Sequence, residues 1–352
     1  MKKTNQLTKC LRGMPLHLEN VKGIKFGITS LDYLCVNLPP VCNYRCEKCF
    51  TWANEQKIEE FIGTKKVLSI IAEAKRLGVK TVGILGEGEP LLFKDIKKIV
   101  KYIYDLKMIP LIATNGSLMT KGMARFLYAN GASIAVSLDT LDEKMYKKTY
   151  RGDANLDKFL ANLNYARKIF AQDIEQTKNG FKVYRLAIHM TVTAKNVQNL
   201  EAVKNFCGED IYFSCEHIAK IGAANDNPDV YGGKSDIAVY KDILKKTRSV
   251  MDPMVLTRTG VGKDTCCFYY YGFAVGYEGE VMLDTHAVET KYIIGNVNSD
   301  SFDNLVKKSQ AIKDDYYKNH GGHYCIIRDP NYQKFIALLR KKKGKKLYKP
   351  NC

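Results

Sequence analysis

The sequence predicts an α/β fold built around a parallel sheet. Between residues 31 and 222, short apolar runs alternate six times with segments of helical periodicity. After residue 266 this alternation gives way to aromatic, hairpin-like segments. Six parallel strands with helical crossovers form either an open sheet or a barrel, and in both the functional groups gather at the carboxyl ends of the strands.

Each element has its own sequence evidence. The first strand is a buried apolar run that ends at Pro39-Pro40, and glycines or Asn-Gly pairs end several of the later helices and strands. The predicted strands are residues 31–38, 80–86, 109–114, 132–138, 184–193 and 210–221. The predicted helices between them are residues 65–78, 94–107, 120–131, 156–170 and 197–207.

Changes in composition divide the chain into segments. A polar arm precedes the first strand, and a stretch rich in Asn, Asp, Gly and Pro follows the sixth. We expect an N-terminal arm, a barrel or sheet domain, a linker with a helix, a small C-terminal α+β module and a basic tail. These segments are residues 1–30, 31–222, 223–265, 266–340 and 341–352, respectively.

Charge and cysteine content narrow the class of protein. Lys and Arg number 55 against 37 Asp and Glu, a formal charge of +18, which favours acidic ligands. Opposite charges nevertheless alternate along the helices, as in a generically basic soluble protein. No apolar run is long enough to span a bilayer and no export signal is evident, so we expect a cytoplasmic protein. Its eleven cysteines are then reduced thiols and metal ligands rather than disulfides.

Three of these cysteines, Cys42, Cys46 and Cys49, lie in the segment CNYRCEKC directly after the first strand. A structural zinc site takes four ligands, and no second cysteine pair nearby completes such a set. A cubane iron–sulfur cluster ordinarily takes four thiolates, so three leave one iron open to a substrate or cofactor. The alternative is a loop with incidental cysteines, which is rare for three thiols so close together. The segment therefore predicts a [4Fe-4S] cluster.

This C-x3-C-x2-C loop resembles the hallmark of the radical S-adenosylmethionine (radical SAM) superfamily. The segment ILGEGEPLL resembles the Gly-Gly-Glu-Pro segment of that family, with Glu87 where a glycine is usual. The resemblance implies a partial (β/α)6 TIM-like barrel, a [4Fe-4S] cluster on the three cysteines, and S-adenosylmethionine (SAM) on the open iron. It also implies that Glu87, Gly88 and Glu89 belong to the SAM site. Gly88 and Glu89 would meet the methionine amino group, since a carboxylate suits an ammonium and glycine permits close approach.

Further polar segments follow the third and fourth strands, ATNGSL and VSLDTLDEKMYKKTYRG. By resemblance they supply contacts to the ribose and carboxylate of SAM. The residues concerned are Thr114, Asn115, Ser137, Asp139 and Arg151. The family usually has an aromatic residue before the third cysteine, where this chain has Lys48, so we expect Phe50 to contact the adenine instead. His189, Thr191 and Val192 on the fifth strand occupy positions that touch the adenine or sulfonium in relatives, although a buried strand histidine is more often a core residue.

The C-terminal module resembles the SPASM or twitch extension, which in relatives binds auxiliary clusters. Its hairpin turn and the phrase IGNV are present, but two usual cysteine positions hold other residues. The candidate auxiliary ligands are Cys266, Cys267, Asp284 and Cys325, with His286, His323 or Cys352 as further completing ligands. The alternative is a metal-free module that covers the barrel mouth. The sequence leaves both open.

The resemblance implies an enzyme that reductively cleaves SAM to a 5′-deoxyadenosyl radical, which abstracts hydrogen from a substrate. We expect a side chain of a ribosomal peptide or protein, with a carbohydrate or other specialised metabolite, dehydrogenated or epimerised, as the alternative. The expected electron donor is of the flavodoxin or ferredoxin type. Because few residues precede the first strand, we expect a peptide substrate to need a separate peptide-recognition protein or to bind directly. The alternative of another class is a non-catalytic metal- or RNA-binding protein, although no RNA-binding motif is evident.

Overall fold

The computed structural model describes most of the chain. The described residues are 7–25, 30–53, 60–85, 87–218, 221–230, 256–257, 265–283, 292–320 and 330–342. Within them, none of the helices is both long enough and apolar enough to cross a membrane.

A nine-stranded, mostly parallel sheet forms the centre of the molecule, with the strand order β14-β13-β12-β2-β3-β4-β5-β8-β9. Six of its parallel strands are the six that the sequence predicts; β4 has the predicted bounds and the other five are somewhat shorter than expected. They are β2 (Tyr33–Val36), β3 (Thr81–Ile84), β4 (Ile109–Thr114), β5 (Ser133–Ser137), β8 (Leu186–Val192) and β9 (Tyr212–His217). The predicted α/β class with a parallel sheet is confirmed, and in the described part of the chain the sheet is open rather than a closed barrel.

Helices connect the parallel strands at the predicted places. Apolar residues at helical spacing define them, as in α3, where Ile96, Ile99, Val100 and Ile103 are all buried. Three helices are also capped by side chains of the preceding residue, Thr120, Asp142 and Asn155. The helices of this part are α2 (Gly63–Arg76), α3 (Ile96–Asp105), α4 (Lys121–Ala129), α5 (Glu143–Tyr150), α6 (Leu156–Phe170), α7 (Leu200–Cys207) and α8 (Ala223–Asp226).

The N-terminal arm has structure that the sequence did not predict. It forms β1 (Thr8–Leu11) and α1 (Pro15–Asn20). Strand β1 pairs in parallel with β7 (Phe181–Tyr184), and β6 (Glu175–Gln176) pairs with β7 in the antiparallel direction. The Gly13 carbonyl accepts hydrogen bonds from the Tyr33 hydroxyl at 2.6 Å and the Thr81 hydroxyl at 2.8 Å. The arm therefore packs against the amino ends of β2 and β3, opposite the end where function is expected.

The C-terminal strands continue the central sheet. Strand β12 pairs in parallel with β2, and β13 and β14 add to it antiparallel. The elements of this part are β10 (Leu256–Thr257), β11 (Thr265–Cys266), α9 (Cys267–Tyr270), β12 (Gly272–Val275), β13 (Glu280–Met282), β14 (Ile293–Asn296), α10 (Phe302–His320) and α11 (Pro330–Lys342). The domain boundary near residue 266 stays a prediction, but the two parts share one sheet.

The two faces of the sheet differ in chemistry. One face packs against the helices in the main core, as with Val82 and Ile112. Side chains alternate between faces along a strand, so the register places a second set on the other face, here called the inner face. The inner face carries Cys35, Gly83, Ala113, Ala135, Ser137, His189, Thr191, Ser214, Glu216, Ala274 and Met282. The register also places Tyr33, Leu111 and Tyr212 on this face, nearer the amino ends of the strands, so the side chains are mostly small only toward the carboxyl ends.

Candidate functional site

The three cysteines predicted as metal ligands share one loop at the carboxyl end of β2. Cys42, Cys46 and Cys49 are free thiols, each only partly buried. The Cys49 amide donates to the Cys46 carbonyl at 3.1 Å, which closes a tight turn between the second and third cysteines. The structure therefore gathers the three residues where the sequence expects them, at the carboxyl edge of the parallel sheet.

Burial and neighbouring charges raise the pKa values of two thiols on this loop. Burial is the main factor that raises the pKa of the Cys46 thiol well above its usual value. The Lys48 ammonium opposes this rise, whereas the Cys49 and Cys42 thiols add to it. Burial likewise raises the pKa of Cys42. Since thiols bind metal as thiolates, assembly of a metal centre on this loop must release protons.

Several N–H groups point at the sulfur atoms. The Tyr44 amide lies 3.4 Å from the Cys42 sulfur, and the Ala53 amide lies 3.4 Å from that of Cys49. The Asn115 side-chain amide approaches the Cys42 sulfur at 3.8 Å. Such donors stabilise thiolates and tune iron–sulfur centres, so the donor set and its surroundings fit the predicted cluster.

No group of three or more His, Cys, Asp or Glu side chains converges closely enough to hold a single metal ion, as far as the described residues show. The fit to a metal therefore depends on the chemistry of the cysteine loop and on its N–H donors.

Glu89 connects the loops that follow β3 and β4. Its carboxylate is buried and accepts hydrogen bonds from the Thr114 hydroxyl at 2.6 Å, the Asn115 amide at 2.7 Å and the Leu91 amide at 3.0 Å. Burial raises its pKa to about 7, and these three hydrogen bonds oppose the rise. Three predicted SAM-binding residues, Glu89, Thr114 and Asn115, thus form one hydrogen-bonded group beside the cysteine loop.

The Glu87–Glu89 turn packs directly against the cysteine loop. A Cβ atom added to Gly88 would lie 2.3 Å from the Val41 carbonyl oxygen, and the Glu89 amide donates to that same oxygen at 2.8 Å. The Glu87 carboxylate accepts from the Asn37 side chain at 3.0 Å. The sequence attributes Gly88 to the approach of a ligand, whereas the structure shows that the backbone of the cysteine loop occupies the space beside it.

A network of side-chain amides joins the cysteine loop to the end of β4. The Asn115 amide donates to the Asn43 side-chain oxygen at 3.0 Å, and the Asn43 amide donates to the Ser117 hydroxyl at 3.0 Å. The Ser117 backbone amide donates a hydrogen bond to the Asn115 side-chain oxygen at 2.9 Å. Asn115 therefore contacts both the Asn43 side chain and the Cys42 sulfur, which ties one side of the cysteine loop to the end of β4.

Asp139, after β5, is fully buried and already engaged by the protein. One carboxylate oxygen accepts from the Thr191 amide at 3.1 Å, and the other forms an ion pair with Lys48. Ser137, in contrast, is partly exposed on the inner face. Its predicted contact with SAM and that of Asp139 stay predictions, but the Asp139 carboxylate faces Lys48 and β8 rather than solvent.

The end of α5 braces the cysteine loop through its backbone, a role that the sequence did not predict. The Arg45 amide donates to the Tyr150 carbonyl at 2.9 Å, and the Glu47 amide lies 3.3 Å from the Thr149 carbonyl. Arg151 adopts a positive φ of 52° and lies 3.5 Å from the buried Glu47 carboxylate. Lys195 pairs with the same carboxylate at 2.9 Å, so its charge is shared by two cations.

A second brace comes from the start of α8, which the sequence assigns to a linker. A Cβ atom on Gly222 would lie 2.3 Å from the Phe50 carbonyl carbon, and the Ala223 amide donates to the Cys49 carbonyl at 2.7 Å. The Trp52 indole donates to Asp226 at 2.8 Å. Gly222 is the feature of the sequence that could have indicated this close approach. Phe50, the predicted adenine contact, is partly exposed within this brace.

The far end of the inner face carries polar side chains. His189 Nδ1 lies 3.0 Å from the Ser214 hydroxyl, and its Nε2 lies 3.8 Å from the Glu216 carboxylate. On the β2 side, Cys35, Ala274 and Met282 form a small apolar cluster separate from the main core. The inner face therefore offers one polar and one apolar wall.

The predicted auxiliary site cannot be placed from the described residues. The backbone of Cys266 and Cys267 lies where β11 meets α9, but their side chains are outside the described part of the chain. Asp284, Cys325 and the three alternative ligands, His286, His323 and Cys352, lie outside it entirely. The auxiliary cluster stays a prediction.

Comparisons with known proteins agree with the chemistry of this loop. Residues 36–179, which include all three cysteines, match the family model described as "Radical SAM superfamily". A protein of Methanococcus maripaludis named "Probable GTP 3′,8-cyclase" is 30% identical over 174 residues, which are 49% of this chain and 53% of that protein. The chain thus spans about half the length of this curated relative.

Two solved structures have a similar fold. Streptococcus suis SuiB bound to S-adenosylmethionine has a TM-score of 0.59 at 18% identity, covering 88% of this chain and 68% of that chain. Native anSMEcpe with bound AdoMet and Cp18Cys peptide has a TM-score of 0.58 at 16% identity, covering 87% of this chain and 82% of that chain. The family uses a [4Fe-4S] cluster and SAM. Residues 36–179, with the cysteine loop at their start, are thus similar to the radical SAM superfamily.

Proposed function

We propose that this chain is an enzyme that cleaves SAM reductively at a [4Fe-4S] cluster held by Cys42, Cys46 and Cys49. The observation that carries the proposal is the cysteine loop at the carboxyl end of β2, with N–H donors aimed at its sulfur atoms. When bound, the cluster and SAM supply a 5′-deoxyadenosyl radical that abstracts hydrogen from a substrate.

The chain's own residues hold and orient the cofactors in this proposal. Glu89, Thr114 and Asn115 form the hydrogen-bonded group nearest to the loop, and a carboxylate there suits the ammonium group of a methionine. With a pKa near 7, Glu89 is readily ionised when such a cation approaches. The braces from Tyr150 and Gly222 keep the loop in one conformation and cover it from two sides.

The substrate that we propose is a side chain of a ribosomal peptide or protein. Support comes from the fold, which is similar to anSMEcpe with bound Cp18Cys peptide and to SuiB bound to precursor peptide SuiA. The mostly small side chains near the carboxyl ends of the inner face, such as Ala113 and Ala135, also support this proposal, because they would leave space for an inserted side chain. The proposed partners are a flavodoxin- or ferredoxin-type electron donor and a separate peptide-recognition protein, in the cytoplasm.

A small metabolite is the second candidate substrate. The polar wall of His189, Ser214 and Glu216 favours it, because such groups suit the hydroxyl or amino groups of a carbohydrate or nucleotide. The similarity to a protein named as a GTP 3′,8-cyclase also points toward a small molecule, although it covers half of this chain.

Anaerobic reconstitution with iron and sulfide tests the proposal. The reduced protein should release 5′-deoxyadenosine from SAM, and the Cys46→Ala variant should lose that release together with most of its iron. The matched control is Cys207→Ala, a buried cysteine in α7 far along the chain from the loop, which should keep both. Equal cofactor cleavage by Cys46→Ala and the parent would refute the assignment. Salt-sensitive RNA binding without SAM cleavage would favour the non-catalytic alternative instead.

A further inference from the structure

Lys48, the second of the two residues between Cys46 and Cys49, turns its charged end into the protein. The Lys48 side chain is only 9% exposed, and its ammonium forms an ion pair with Asp139, whose side chain has no exposed surface. The ammonium also lies 5.6 Å from the centre of the Tyr150 ring, a cation–π contact. A lysine normally extends its charged end into water, so a buried ammonium must be stabilised by partners within the protein, here Asp139 and the Tyr150 ring.

Asp139 in turn is tied to the sheet. It follows β5 by two residues, and its other carboxylate oxygen accepts from the Thr191 amide of β8 at 3.1 Å. The Tyr150 carbonyl accepts a hydrogen bond from the Arg45 amide, and the Tyr150 ring lies beside Lys48. The ion pair thus joins the Cys46–Cys49 turn to two strands of the sheet and to the end of α5.

A buried ion pair behaves differently from one at the surface. Removing one partner leaves the other charge without water or counterion, which is far more costly than losing both charges together. Beside a site that holds three thiolates, the sign of the remaining charge matters as well, because a nearby cation stabilises added electrons and a nearby anion opposes them.

We propose that Lys48 and Asp139 form a positioning ion pair that fixes the cysteine loop on the sheet and sets the local charge at the metal centre. The inference depends on the proposed cluster on Cys42, Cys46 and Cys49. Lys48 is a positioning residue, since it acts through the loop and through its charge rather than by contact with substrate.

The test uses the full chain, reconstituted anaerobically, and two measurements: iron and acid-labile sulfide per chain, and the midpoint potential of the cluster followed by electron paramagnetic resonance. The variants are Lys48→Met, Asp139→Asn and the double variant. Asparagine keeps an oxygen that can accept from Thr191. The matched control is Lys147→Met, which removes a lysine from an ion pair with Glu143 on the exposed surface of α5, where its side chain is 57% exposed.

The two single variants should differ in sign. Lys48→Met leaves an unpaired carboxylate, so its iron content should fall by at least half and the midpoint potential of the remaining cluster should become more negative. Asp139→Asn leaves an unpaired cation, so its midpoint potential should become more positive. The double variant should return toward the parent in both measurements, and Lys147→Met should match the parent.

Three outcomes overturn the inference. Lys48→Met could match Lys147→Met in iron and potential, or both single variants could shift the potential in the same direction, as a purely structural role predicts. If Lys48→Met does not fold, an unchanged potential in Asp139→Asn overturns it as well. A parent that shows Cys46-dependent iron and SAM cleavage while these shifts are absent refutes the ion-pair inference alone, whereas a parent without Cys46-dependent iron refutes the proposed function and this inference with it.

Discussion

Replacing Gly88 by alanine tests whether the turn after β3 shapes the cysteine loop. The added Cβ atom would lie 2.3 Å from the Val41 carbonyl oxygen and 2.7 Å from the Val41 nitrogen. Both are backbone atoms, so no side-chain rotation relieves the overlap. Ordinary contact begins at 3.4 Å, and the two segments must therefore separate by about 1 Å.

The structure sets the size of the expected effect. Overpacking of this kind costs about 1–3 kcal/mol of unfolding free energy, and the separation also weakens the hydrogen bond from the Glu89 amide to the Val41 carbonyl. Cys42 follows Val41 directly. Metal–ligand distances tolerate changes of only about 0.2 Å, so a shift of this size should impair cluster assembly.

The matched control is Gly122→Ala in α4, where an added Cβ atom meets nothing within 4 Å. There alanine should be neutral or stabilise the helix by up to about 1 kcal/mol. Denaturant unfolding measures the free energy, and iron and sulfide analysis after anaerobic reconstitution measures assembly. If Gly88→Ala holds as much iron and unfolds at the same denaturant concentration as Gly122→Ala, the close approach of the two loops is wrong.

Three further predictions concern the surrounding structure. Gly222→Ala should lower the unfolding free energy by about 1–3 kcal/mol and reduce iron uptake, because the added Cβ atom would overlap the Phe50 backbone. Gly180→Ala, also at a positive φ but in open space, should lower stability without affecting iron uptake. Equal iron loss in both variants would contradict the α8 brace. Burial and two nearby cations lower the pKa of His17 from 6.5 to about 4. The folded state therefore loses about 3 kcal/mol of unfolding free energy as pH falls from about 6.5 to 4, and His17→Gln should lose this part of the pH dependence of the urea midpoint. Parallel pH profiles of the urea midpoint in the variant and the parent would contradict this prediction. Arg185→Met leaves buried backbone carbonyls without their donor and should cost about 2 kcal/mol in urea unfolding, whereas Arg76→Met at an exposed ion pair should cost less; equal costs would show that those hydrogen bonds contribute little.

Local patterns in the sequence were sufficient for the fold class. The alternation of apolar runs and helical segments depends on burial and spacing along the chain, which each segment carries by itself. For the same reason all six parallel strands and the helices between them lie where they were predicted, although the structure shortens most of them. The N-terminal strand β1 was missed, because its stability comes from pairing with β7, more than 160 residues away.

The cysteine loop was also evident from the sequence, since three thiols at that spacing have few explanations. Its surroundings were not. The contacts of Tyr150, Gly222 and Lys48 with this loop join residues that are far apart in the chain, and no local pattern encodes which of them meet. The chemistry of the three thiols is thus a property of one short segment, whereas their position, their charge environment and the two braces that hold them exist only after the parallel strands bring their carboxyl ends to one edge.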